Sequence, residues 1–211
     1  MVEKIVENLN LPKIEKKIYI EEIATKETKT QSENDDKYKE NRIKGDPTAL
    51  KFTFETEKVK NGLENIFFGD GKKMVQTYFD HQRQMLKSCD FDIIGHIDLI
   101  RKRNAALKFF SETDSWYKNE LQATAKEIAK AGVVVEINTG GMSRGAIDSP
   151  YPSLEFLKIL KKLDVPILFS SDAHSSEHLV YGFDVAADLA KKAGYSERYY
   201  LTTTGWNKIA L

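Results

Sequence analysis

The sequence predicts an α/β fold in which parallel strands alternate with helices, either closed as a barrel or left as an open sheet. Two observations carry this. From residue 49 onward, short apolar or β-branched runs alternate with longer segments of helical periodicity, strand after helix, with short connections. Three of those runs end in polar residues, His96, Asn138 and Asp172. Successive strands would therefore deliver side chains to one rim, the place where functional groups gather in both architectures.

The elements are justified in chain order. In "ALKFTFET" (49–56), Leu50, Phe52 and Phe54 share one face of a period-two pattern, which predicts a strand. Residues 69–88 predict a helix with Asp70 as N-cap and a stripe of Val75, Tyr78, Phe79, Gln82, Met85 and Leu86. "FDIIGHIDLI" (91–100) predicts a short buried strand that ends near Gly95 and His96. Residues 111–132 predict a helix opened by a capping box from Ser111 to Asp114 and closed by Gly132. "VVVEIN" (133–138) is a β-branched strand. Residues 152–164 form a helix with Ser153 as N-cap and Phe156, Leu157, Leu160 and Leu163 as its buried stripe. "VPILFSSD" (165–172) is a strand, 177–194 a helix closed by Gly194, and 198–204 a last strand. Before all this, residues 24–46 carry dense mixed charge and almost no large apolar side chain, so they read as a solvated loop or disordered insert. The expected division is a polar N-terminal segment over 1–45 and the α/β unit over 46–211.

Composition bounds the function. The chain has 211 residues, enough for one domain, and 41% of them are hydrophobic, enough for a core. Its 32 basic and 32 acidic residues cancel, which gives no electrostatic basis for a nucleic-acid or anionic-membrane partner. A single cysteine, Cys89, excludes an internal disulfide framework. No apolar run reaches the ~18 residues of a membrane span, and the N-terminus has no signal-peptide pattern. These features lead to the expectation of a cytoplasmic protein.

The strand ends suggest a metal. Asp172 and His174 are one residue apart, so in an extended segment both side chains leave on the same face and reach one cation. His96 arrives from a second strand end. Zinc, iron and manganese all accept such donors. The plainer alternatives are a strand-capping His96, a helix-capping Asp172 and an exposed His174. In "EINTGGMSRG" (136–145), Gly140 and Gly141 allow unusual dihedrals and a close backbone approach to a ligand, and the loop carries Arg144. An arginine there suits a phosphate, or else is simply solvated. Arg101 and Arg103 follow His96 and are weaker candidates. His81 reads as a packing residue, His178 as exposed, and Cys89 as a small buried residue.

Taken in order, "FDIIGHIDLI", "VVVEINTGGMSRG", "PYPS" and "VPILFSSDAH" resemble the C-terminal half of histidinol phosphatases, members of the polymerase-and-histidinol-phosphatase (PHP) superfamily of metal-dependent phosphoesterases. The resemblance covers about residues 46 to 211. It implies a partial or distorted (β/α)7 barrel with divalent metals at its C-terminal rim, and hydrolysis of L-histidinol phosphate in histidine biosynthesis. It implies His96, Asp172 and His174 as metal ligands, Arg144 and Arg101 as catalytic and phosphate-binding arginines, and Asn138 at the substrate. Family members open with a His-x-His strand, and this chain contains none. Three origins fit that difference: a truncation, a displaced start, or one part of a split protein. A half barrel would expose strand edges, so the expected partners are a small phosphomonoester and a second chain, another copy included, at an uncovered edge. A catalytically incompetent remnant and a hydrolase of another phosphomonoester are the alternatives.

Overall fold

The structure, a computed structural model, describes residues 56–88 and 90–211. The predicted 49–56 strand and the polar 1–45 segment lie outside those residues, except Thr56, which opens a helix. The elements in order are α1 (Thr56–Asn65), α2 (Gly71–Ser88), β1 (Ile93–Ile94), a 3-10 turn (Leu99–Arg103), α3 (Asn104–Leu107), α4 (Ser115–Ala131), β2 (Val134–Asn138), α5 (Gly140–Ser143), α6 (Leu154–Lys162), β3 (Ile167–Ser170), a 3-10 turn (Ser176–His178), α7 (Phe183–Ala193), β4 (Glu197–Thr202) and β5 (Gly205–Ala210).

β1, β2 and β3 form a parallel sheet in that order, with Ile93 opposite Val134 and Val135 opposite Ile167. β2 is the central strand and is buried along its whole length, as a parallel strand covered on both faces must be. Helices cover the sheet as a chain of neighbours: α2 packs on α4, α4 on α6, α6 on α7, and α7 on β3. At the join of α2, α4 and α6, the Phe79 ring meets Tyr117 at 6.0 Å and Phe156 at 6.3 Å, both edge to face. Phe156, Leu157 and Leu160 of α6 are fully buried, each contributing roughly 1.5–3 kcal/mol of transfer energy.

The architecture is thus mixed α/β with a three-stranded parallel sheet. The expected last parallel strand (198–204) is replaced by an antiparallel hairpin: among the described residues β4 pairs only with β5, Glu197 opposite Ala210 through Thr202 opposite Gly205. Gly205, at φ +110°, makes the reversal possible. Among the described residues no closed barrel forms.

Several boundaries move for identifiable reasons. The 91–100 strand shrinks to Ile93–Ile94 because His96 sits at φ +25° and its carbonyl accepts from Leu99 N at 2.9 Å, turning the chain out of the sheet. The capping box at Ser111 does not form. Asp114 is the N-cap of α4, while Ser111 Oγ accepts from Thr113 N at 3.2 Å in a local turn. The 177–194 helix begins only at Phe183. Gly182 at φ +68° breaks it, and Ser171 Oγ and Thr139 Oγ1 donate to the carbonyls of Leu179 and Tyr181, holding that loop to the strand ends. Leu163 lies past the end of α6 and is 38% exposed, outside the buried stripe. The caps at Asp70, Ser153, Gly132 and Gly194 form as the sequence predicts.

Candidate functional site

The C-terminal ends of β1, β2 and β3 lie side by side, and each end is fixed by polar contacts that the local sequence makes available. At the end of β2, Asn138 is buried; its Oδ1 accepts from Gly140 N at 2.8 Å, and its backbone exchanges hydrogen bonds with Tyr151 at 2.7 and 3.0 Å. Asn138 therefore shapes the loop that follows β2. Its Nδ2 is buried without a protein partner among the described residues.

At the end of β3, Asp172 takes a left-handed conformation, φ +46°, which aspartate tolerates better than most residues. Arg144 reaches it from the β2 loop. Nη1 donates to the Asp172 carbonyl at 2.9 Å and Nη2 to Oδ2, while His174 Nε2 lies 3.4 Å from Oδ1. Arg144 and His174 thus flank one carboxylate on a partly exposed surface, with side chains 34% and 41% accessible. The approach is tight because Gly140 has no side chain: a Cβ there would sit 2.7 Å from the Ser171 carbonyl oxygen and 2.9 Å from Arg144 Nη2. Neither Gly140 nor Gly141 has a positive φ. These glycines serve close packing, where the sequence suggested unusual dihedrals.

At the end of β1, His96 is buried, and its backbone N–H donates to Glu136 Oε2 at 2.8 Å. Glu136 is a buried acid in the middle of β2 that sequence reasoning did not single out. Its signal was available: a lone charge inside the run "VVVEIN" has no solvent face to occupy.

Beyond His96, Asp98 and Arg101 turn inward. Asp98 is fully buried, and its Oδ2 accepts from Ser153 N at 2.8 Å and lies 3.6 Å from Arg101 Nη1. Burial raises the Asp98 pKa above the usual carboxylate range, with Arg101 opposing it. Arg101 donates to Glu112 at 2.9 Å, Ser149 Oγ at 3.2 Å and the Pro150 carbonyl at 3.3 Å. Burial works against its charge, but Asp98 and Glu112 outweigh that and hold the guanidinium proton more firmly. Arg101 also borders an open cleft lined with Asn104, Glu112, Asp148 and Ser149. Both arginines have donors engaged with the protein, but the Arg144 side chain is 34% accessible where that of Arg101 is 9%.

The metal donors divide unevenly. Asp172 and His174 come together; His96 does not join them. Among the described residues no three histidine, cysteine, aspartate or glutamate side chains gather as a metal site. The pair suits a divalent cation in chemistry, but two donors alone do not form a closed or catalytic metal centre. His178 is half-buried, its ring edge to face with Tyr181 at 5.8 Å, where an exposed side chain was expected. His81 is half-buried in α2. No described helix is long and apolar enough to cross a membrane.

No protein-family model matches the chain. Over 149 residues it is 25% identical to the "Probable histidinol-phosphatase" of Schizosaccharomyces pombe (strain 972), an alignment that takes in 69% of this chain and 47% of that protein. The similarity to that relative is thus partial in both identity and length. The chain spans less than half the length of that relative. A solved structure from Listeria monocytogenes, described as a "putative histidinol phosphatase", superposes with a TM-score of 0.47 at 18% identity, over 54% of this chain and 44% of the other.

Proposed function

We propose that this chain is a metal-dependent phosphomonoesterase that hydrolyses L-histidinol phosphate to L-histidinol and phosphate in the cytoplasm. The observation that carries the reading is the sequence relationship to a probable histidinol-phosphatase over 149 residues. The rim at Arg144, Asp172 and His174 supports it. An accessible guanidinium beside a carboxylate and an imidazole suits a phosphoryl group, because a planar fork of donors matches phosphate oxygens. In this reading Arg144 holds the phosphoryl oxygens. Arg101 braces the Ser149–Pro150 segment, and Asn138 fixes the loop that carries Arg144. A manganese, zinc or iron ion would supply Lewis-acid chemistry at the Asp172–His174 pair, with its remaining ligands drawn from beyond the donors gathered here.

The test is phosphate release from histidinol phosphate in the presence of each metal. Metal-dependent turnover that disappears in His174→Ala is expected. Folded protein that releases no phosphate with any of the three metals overturns the reading, and a panel of other phosphomonoesters identifies a different substrate. A second reading, a non-catalytic interaction module, is favoured by the two-donor cluster among the described residues. It expects the same melting temperature with and without chelator.

A further inference from the structure

We propose that Lys102, with Arg103 beside it, joins Arg144 in a three-cation site for the phosphoryl group at the end of the parallel sheet. This rests on the phosphatase reading and deepens it: the site would take the dianionic end of a phosphomonoester, and its second cation would come from the turn after β1.

Placement is the first argument. The 3-10 turn Leu99–Arg103 leaves the end of β1, Arg144 stands on the loop after β2, and Asp172 ends β3. β1, β2 and β3 are consecutive neighbours in the sheet, so these loops are adjacent. Within the turn, Ile100 and Arg101 are buried, while Lys102 and Arg103 are only half-buried. Arg101 is committed to Glu112, Ser149 and the Pro150 carbonyl. Its two successors are the remaining cations of this turn, on the loop next to the one that bears Arg144.

The second argument is charge. Among the described residues, the side chains of Lys102 and Arg103 have no hydrogen-bond or ion-pair partner. Partial burial, then the charges of Arg103 and Arg144, pull the Lys102 pKa below the ordinary lysine range; Asp172 opposes them. Lys102 therefore feels both guanidinium groups, and the carboxylate that opposes them, Asp172, is already engaged by Arg144. Like charges held together without a counter-charge destabilise a fold, and such arrangements concentrate at sites where a ligand supplies the missing charge. A phosphate dianion between Lys102 and Arg144 would relieve the repulsion and satisfy donors on both. A single surface lysine would have carried no such argument; the half-burial and the two neighbouring guanidinium groups set Lys102 apart.

Calorimetric titration of the full chain with inorganic phosphate at low ionic strength tests this without requiring turnover. Saturable binding by the wild type is expected. Lys102→Met should weaken it roughly tenfold to a hundredfold, the usual range for a lost charge-assisted hydrogen bond. Lys102→Arg should retain most of the affinity, and Arg103→Gln should give a smaller loss. If Lys102→Met fails to fold, Lys102→Gln takes its place. No saturable binding by the wild type, or equal affinity in wild type and the neutral variant, overturns the proposal. Phosphate binding that depends on Lys102 without any turnover would sink the enzymatic reading alone. Turnover whose KM ignores Lys102→Met and Lys102→Gln would sink this inference alone.

Discussion

At the residue scale, Glu136 shows how a buried acid fixes the site without touching a ligand. Its Oε2 accepts the backbone N–H of His96, whose left-handed conformation begins the departure from β1. Glu136→Ala would leave that N–H buried and unpaired, at a cost of about 1–3 kcal/mol. Glu136→Gln keeps a carbonyl acceptor in place and is expected to recover most of that loss. Urea unfolding of the two variants checks this. Equal destabilisation by both would mean that the carboxylate charge, and not the acceptor, is what β1 needs. The single residues that sequence could find were those whose type advertises a role at a strand end, His96, Asn138 and Asp172. What it could not find were pairings across long separations. Arg144 meets Asp172 across 28 positions and Glu136 meets His96 across 40, and nothing local to either residue names its partner.

At the element scale, legibility followed length and periodicity. α2, α4 and α6 were readable because each repeats apolar residues over several turns, and α2 and α6 also carry the expected cap residue at the start. β1 was over-read because "FDIIGHIDLI" stays apolar past the point where His96 turns the chain. β5 was missed because "GWNKIA" places Asn207 and Lys208 where an apolar alternation would be needed, and the hairpin leaves half its residues exposed. The cap of α2 gives a direct test. Asp70 Oδ1 accepts from Lys73 N at 2.8 Å, and its negative charge also faces the positive end of the helix macrodipole. Asp70→Ala should cost about 1 kcal/mol, and Asp70→Ser should recover most of it. Thermal unfolding followed by circular dichroism distinguishes the outcomes; no change in Asp70→Ala would mean that the packing of α2 against α4 alone sets its start.

At the scale of the whole molecule, the fold brings three strand ends together but does not gather a complete metal centre from the described residues. The resemblance to histidinol phosphatases led to the expectation of three ligands from this stretch, and the geometry joins two of them. His96 is held inward, with its backbone tied to Glu136, while Asp172 and His174 lie at a partly exposed rim under Arg144. A carboxylate and an imidazole give a cation two bonds, and the adjacent guanidinium competes for the same carboxylate. Such a site binds a divalent ion weakly, since catalytic zinc centres ordinarily take three protein ligands. Equilibrium dialysis against zinc or manganese followed by elemental analysis is therefore expected to find at most one ion per chain, removable by mild chelation. Arg144→Gln should strengthen that binding by freeing Asp172, and Asp172→Asn should abolish it. Two or more ions that survive chelation would show that residues beyond the described stretch complete a cluster around the same pair, and the rim at Arg144 would then be one wall of a larger centre.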